Sequence, residues 1–232
     1  MLGIDFRPVN GTLYGLGSSN RLYTINLAIG TATQVGSGTF STPLSGTEFG
    51  VDFNPVVDRL RVVSNTGQNL RLNPDTGTLT AVDTPLNPGT PSVAGVAYTN
   101  NFADAASTTL FGIDSSTDVL VMLGSPGGTP VSPNAGVITT IGALGVNTSD
   151  LTGFDISGAT GIAFASLTAP GGGSSLYTIN LTTGAATLVG TLGGGVSFRD
   201  ISVVPAAIPE PATFGLLATG LAAMLTLRRR PT

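Results

Sequence analysis

The sequence predicts an all-β fold: a β-propeller of four-stranded antiparallel blades, four complete and a fifth partial, followed by a short C-terminal hydrophobic helix. Three observations predict it. A glycine–apolar–aspartate–apolar signature recurs as Gly3-Ile4-Asp5-Phe6, Gly50-Val51-Asp52-Phe53, Gly95-Val96-Ala97-Tyr98 and Gly153-Phe154-Asp155-Ile156, its glycines 47, 45 and 58 residues apart, which is the length of one small antiparallel sheet per repeat. Between the apolar runs lie Asn-Gly and Gly-Ser clusters, the residues that tolerate the positive φ of tight hairpins. The composition, 33 Gly and 15 Pro with 9% charged residues, suits short strands and turns rather than helices.

The elements follow from this grammar. Leu2 to Arg7, Thr12 to Gly17, Arg21 to Asn26 and Ala32 to Gly36 read as the strands of the first repeat, and Phe49 to Asn54, Arg59 to Ser64, Asn69 to Asn73 and Thr78 to Val82 as those of the second. The turn Asn73 to Gly77 matches Asn26 to Gly30 and Asn180 to Gly184 at both ends, which sets the register of the copies. In the third repeat Ala94 to Thr99, Thr108 to Asp114, Asp118 to Leu123 and Val137 to Gly142 read as strands; its longer period comes from a Gly- and Pro-rich insertion, Gly124 to Gly136, between the last two. The fourth runs from Thr152 to Gly190. Phe198 to Val203 then begins a fifth unit, with Asp200 placed in register with Asp5, Asp52 and Asp155. Sheets with two apolar faces must pack face to face, and radial closure leaves only short protected edges; a linear solenoid is the alternative. A lone seventeenth strand also predicts N-terminal partners that would complete its blade, so residues 1–205 are expected to be a propeller domain whose first strands lie upstream of Met1.

Charge and residue type exclude several functions. The net charge is −4; three of the nine arginines lie in the tail, leaving a body at −6, so nucleic acid is not expected as a partner. The chain has no His, Cys, Trp or Lys, which removes thiolate chemistry, the side chain that titrates near neutrality and the commonest metal ligand. Neither a Gly-x-Ser-x-Gly elbow nor a serine with a positioned base is present. No enzyme is expected on these grounds; a metal-dependent polysaccharide hydrolase or lyase on the same scaffold is the alternative.

Two sets of residues carry candidate chemistry. Asp5, Asp52, Asp155 and Asp200, at one repeat position, would converge on a central channel and could hold Ca²⁺ or another hard cation; no other cofactor is expected. Alternatively each aspartate bonds neighbouring amides or an arginine and locks adjacent blades. Arg59, Arg61 and Arg71 lie on two consecutive strands, Arg59 and Arg61 on one face. They could present guanidinium forks to an anionic sugar such as a uronate, or pair with Asp52, Asp58, Asp75 or Asp83. Tyr14, Tyr23, Tyr98 and Tyr177 could stack on sugars, although Tyr23 and Tyr177 share a repeat position and read as core.

From Ala206 the composition changes. Residues 206–232 contain Pro209-Glu210-Pro211, an uncharged stretch at 212–227, and Arg228-Arg229-Arg230. The 16-residue stretch would be about 24 Å long as a helix, short for a hydrocarbon core of about 30 Å, and the arginines would favour the cytoplasmic side. The three parts in order closely resemble the PEP-CTERM sorting signal of bacterial exported proteins. That resemblance implies processing by an exosortase-type protease near the tripeptide, transient anchoring in the inner membrane, and release to the cell surface or extracellular matrix. Over Leu2 to Pro205 the chain resembles the bacterial extracellular family of domain of unknown function 4394. The likeness is carried by Gly3-Ile4-Asp5-Phe6-Arg7-Pro8, Leu13-Tyr14-Gly15-Leu16-Gly17, Gly67 to Gly77 and Arg199-Asp200-Ile201, and it implies a propeller-like body with no stated activity. Together these readings describe an exported propeller with a binding or structural role toward an extracellular polysaccharide or a surface protein.

Overall fold

The computed structural model describes residues 1–205. The sorting residues Pro209, Glu210, Pro211 and Arg228 to Arg230, and the helix expected over 212–227, lie outside the described residues. Among those described, no helix is long and apolar enough to cross a membrane.

Among the described residues sixteen strands form four antiparallel sheets, each a meander in chain order. Blade one contains β1 (Gly3–Phe6), β2 (Leu13–Gly17), β3 (Arg21–Ile25) and β4 (Ala32–Gln34). Blade two contains β5 (Phe49–Asn54), β6 (Arg59–Ser64), β7 (Asn69–Asn73) and β8 (Thr78–Val82). In blade three are β9 (Val93–Tyr98), β10 (Leu110–Asp114), β11 (Val119–Leu123) and β12 (Ile138–Ala143); in blade four, β13 (Thr152–Ile156), β14 (Ala163–Thr168), β15 (Ser174–Ile179) and β16 (Ala186–Thr191). The four blades make a β-propeller arrangement. The turn shared by three blades is built as its sequence requires: the glycine at its end takes positive φ, 70° at Gly30, 66° at Gly77 and 83° at Gly184. In each copy the leading asparagine side chain accepts an amide two residues on, from Ala28, Asp75 or Thr182, at 2.9 Å.

Burial falls from the axis to the rim. The first strand of every blade is almost wholly buried, whereas β8 alternates and β16 is largely exposed. Register shifts in the outermost hairpins of blades two, three and four twist their edges, a bulge geometry that blunts edge pairing. Three apolar clusters fill the three junctions between successive blades, centred on Phe53 and Leu70, on Tyr98 and Leu110, and on Phe154 and Ile113. Tyr14 and Phe53 meet edge to face at 5.2 Å across the first junction.

The seventeenth strand is replaced by an irregular segment, residues 198–204, that runs between β13 and β1. Its register differs from the expected one. Across every junction the signature glycine abuts the residue just before the next blade's aspartate position: Gly3 on Val51, Gly50 on Val96, Gly95 on Phe154 and Gly153 on Ile201. Ser202, not Asp200, therefore stands at the aspartate position, and Asp200 stands at the glycine position. The copy reads Asp200-Ile201-Ser202 where the others read Gly-x-Asp.

Candidate functional site

The axis is built from the first strands. An inward side chain on a buried strand has two ways to satisfy its oxygens, the neighbouring strand's amides or whatever fills the centre. Asp5 Oδ2 accepts the Phe53 amide at 2.8 Å, Asp52 Oδ1 the Tyr98 amide at 3.2 Å, and Asp155 Oδ2 the Val203 amide at 2.5 Å. Each bond runs to the residue after the next blade's aspartate position, so one carboxylate oxygen latches a blade to its successor. Ser202 continues the series, its hydroxyl accepting the Phe6 amide at 3.2 Å and donating to Asp5 Oδ1 at 2.8 Å. Ala97 has no oxygen to offer, and the latch from blade three to blade four is missing.

The other faces of these carboxylates meet. Asp5, Asp52 and Asp155 are 2, 0 and 1% exposed, and each places an oxygen within 4.8 Å of the other two. Asp200 lies outside this trio; its carboxylate accepts the Ile4 amide at 2.8 Å and the Ile201 amide at 2.9 Å. Burial, and then the Asp155 charge, pushes the Asp5 carboxyl well above the ordinary value. Burial, then Asp5 and Asp155, does the same at Asp52; burial pushes Asp155 up to about 6 and raises Asp200 strongly. Two charges about 5 Å apart repel by roughly 3 kcal/mol at an effective dielectric constant of about 20. No arginine offsets this: every ion pair of the described residues involves Asp58, Asp75, Asp83 or Glu48. Asp52 Oδ2 and the buried Asn101 Oδ1 have no hydrogen-bond partner among the described residues; Asn101 faces Asp155 with its amide N–H, which favours that carboxylate.

The expected arginine set is brought together at a second place. Arg61 on β6 lies opposite Arg71 on β7, and both lean on one carboxylate: Arg61 Nη1 is 2.6 Å and Arg71 Nε 2.7 Å from Asp83 Oδ2. Arg61 is 2% exposed, and its remaining donors reach Tyr98 Oη, Asn69 Oδ1 and Asn134 Oδ1 at 3.2, 2.7 and 2.6 Å. Arg59 donates to the Asp58 carbonyl at 2.7 Å and makes no carboxylate pair among the described residues. The insertion 124–136 of blade three reaches back over blade two, Pro133 accepting from Asn69 and Asn134 from Arg61. Between them is a cleft of about 370 Å³ lined by Arg59, Arg61, Arg71, Asn54 and the Ser132–Asn134 rim. Arg61 and Arg71 share the Asp83 charge and Arg59 adds a third guanidinium, so the cleft is basic in a body of opposite sign. Burial alone would raise the Asp83 carboxyl; the Arg71 and Arg61 guanidiniums outweigh it and hold it below the ordinary value. Of the tyrosines, Tyr14 and Tyr98 are core residues at 5 and 1% exposure. Arg7, singled out only within the family likeness, clasps Asp58 and Asp75 of the second blade.

Fold and site together define an all-β propeller with an acidic axis, one basic cleft and an appended export tail. Residues 1–202 match the family described as a domain of unknown function, DUF4394, and the chain belongs to that family. Residues 207–230 match the PEP-CTERM protein-sorting motif, the mark of exported proteins sorted through an exosortase. No curated protein matches the chain. Among solved structures it is similar to a protein of unknown function from Bacteroides thetaiotaomicron, at 14% identity and a TM-score of 0.52, over 87% of this chain and 54% of that one. It is also similar to a TolB-named protein from Agrobacterium tumefaciens, at 16% identity and a TM-score of 0.47, over 81% and 60% of the two chains. The chain thus spans little more than half the length of the structures it resembles, and the first likeness is one of fold.

Proposed function

We propose that this protein is an exported binding propeller, released by exosortase processing to the cell surface or matrix, where the blade-two cleft takes an acidic polysaccharide. The observation that carries the reading is the cleft itself: Arg59, Arg61 and Arg71 around about 370 Å³, with one carboxylate among three guanidiniums. Arg61 is committed to its buried network, so the ligand-facing cations are Arg59 and the partly exposed Arg71. Planar guanidiniums match a carboxylate in bidentate fashion, and uronate residues carry one per sugar. The hydrolase or lyase reading loses ground because its acidic residues, Asp5, Asp52 and Asp155, are buried on the axis, where a polymer cannot reach them.

Isothermal titration of the full chain against polygalacturonate and a neutral glucan tests the reading. Binding confined to the acidic polymer, lost in Arg59→Glu/Arg71→Glu and weakened by salt, is the expected result. Equal binding of both polymers, or charge reversal without effect, would overturn it.

A further inference from the structure

The geometry points to a single hard divalent cation of the Ca²⁺ class held on the propeller axis by Asp5, Asp52 and Asp155. This site is separate from the cleft and does not depend on what the cleft binds. The three carboxylates come from β1, β5 and β13, three different blades, and bring oxygens within 4.8 Å of one another. A cation with bonds of about 2.3–2.6 Å to oxygen can bridge that span. An acidic trio alone would not require a ligand. An unpartnered oxygen does: Asp52 Oδ2, on a side chain 0% exposed, finds no donor among the described residues. Buried oxygens without a donor are rare in folded proteins, and this one belongs to a carboxylate that meets both of the others.

The surroundings fix the class of ion. All available ligands are oxygens, in a chain with neither Cys nor His, which suits a hard cation rather than zinc or copper. Among the described residues no guanidinium pairs with the trio to neutralise it. Both oxygens of Asp5 and of Asp155 are already oriented, Asp5 by the Phe53 amide and the Ser202 hydroxyl and Asp155 by the Val203 and Ile156 amides, each oxygen keeping a lone pair. Such second contacts preset ligand geometry. Asp200, engaged with the Ile4 and Ile201 amides, orients the chain end and is not a ligand. The ion's role is structural, since it ties blades one, two and four across the centre.

The test uses the full chain, stripped with EDTA and dialysed against Ca²⁺, Mg²⁺ or Mn²⁺. Bound metal is counted by mass spectrometry and the melting midpoint recorded for each form. One ion per chain and a rise on the order of 5 °C with 1 mM Ca²⁺ are expected. Asp52→Asn, which keeps the shape, is expected to weaken binding at least tenfold, while Asp200→Asn leaves it unchanged. If Asp52→Asn does not fold, Asp5→Asn takes its place, with the same expected loss. Absence of bound metal and of any shift with all three ions would overturn the assignment and leave a cluster neutralised by protons. So would an Asp52→Asn or Asp5→Asn variant with the affinity of the parent chain.

Discussion

Replacing Gly50 by alanine probes the packing of first strand on first strand. A Cβ built on Gly50 would lie 2.9 Å from the Val96 nitrogen, 3.0 Å from the Ala94 oxygen and 3.1 Å from the Ala94 carbonyl carbon, all backbone atoms of β9. Ordinary contacts start near 3.4 Å, so β5 and β9 must part by several tenths of an ångström. That parting would stretch the Asp52–Tyr98 latch, already 3.2 Å long, and loosen the apolar junction around Val51 and Val96. Overpacking of this kind costs about 1–3 kcal/mol. Alanine also restricts the unfolded chain, a gain of roughly 0.5–1 kcal/mol. The net loss is about 1–2 kcal/mol, or a fall of roughly 3–6 °C in the melting midpoint for a domain of this size. Gly38→Ala supplies the control, because nothing lies within 4 Å of its Cβ. Gly153→Ala, whose Cβ would meet backbone at 2.5 to 2.7 Å, should cost more than Gly50→Ala. Circular dichroism melts of the three variants against the parent decide the matter. A Gly50→Ala chain that melts at or above the parent, or no more than its control below it, would show that the blades do not meet through their glycines.

Other outcomes follow from the same contacts. Arg61→Met should lower stability by about 3 kcal/mol in urea titration, since it strands Asn69, Asn134 and part of Asp83 in a buried site, whereas Arg59→Ala should shift it by less than about 0.5 kcal/mol. Asp83 is held below the ordinary carboxyl value by its arginines, so the unfolded chain takes up its proton first as the pH falls. Its contribution is complete above about pH 5 and is lost progressively as the pH drops through the ordinary range toward its folded value; an Asp83→Asn chain, compared by melting from pH 6 to 3, should lack that part of the acid loss. In a bacterium with an exosortase, replacing Pro209-Glu210-Pro211 by alanines should leave the chain in the inner-membrane fraction, and equal release of both forms would count against the tail as an address.

Most of the propeller was legible because its signals are local and repeated. The Asn-to-Gly turns specify their own φ and side-chain bonds, so the second blade's four strands, from Phe49–Asn54 to Thr78–Val82, agree residue for residue with expectation. What was not legible arises between distant parts of the chain. Asp200 matched the motif by its spacing from Phe198 and Ile201, yet the packing of Gly153 on Ile201 moves the register by two residues and installs Ser202. Asn101 follows Tyr98 in a loop with no repeat counterpart, and nothing local marks it as an axial neighbour. The pairing of Arg61 and Arg71 was among the alternatives, but Asn134 came from an insertion whose landing place only the folded ring determines.

Ala97 has a mechanical consequence of its own. The clasps of Asp5, Asp52, Asp155 and Ser202 are present and the one from the third blade to the fourth is not, so at the axis that seam relies on side-chain packing around Phe154 and Ile113, and its polar ties are the bonds from Ser92 and Ser115 to the Asp150 carboxylate. Breathing motions should begin there, with β9 and β13 separating first and exposing their amides to exchange before the rest of the wheel loosens.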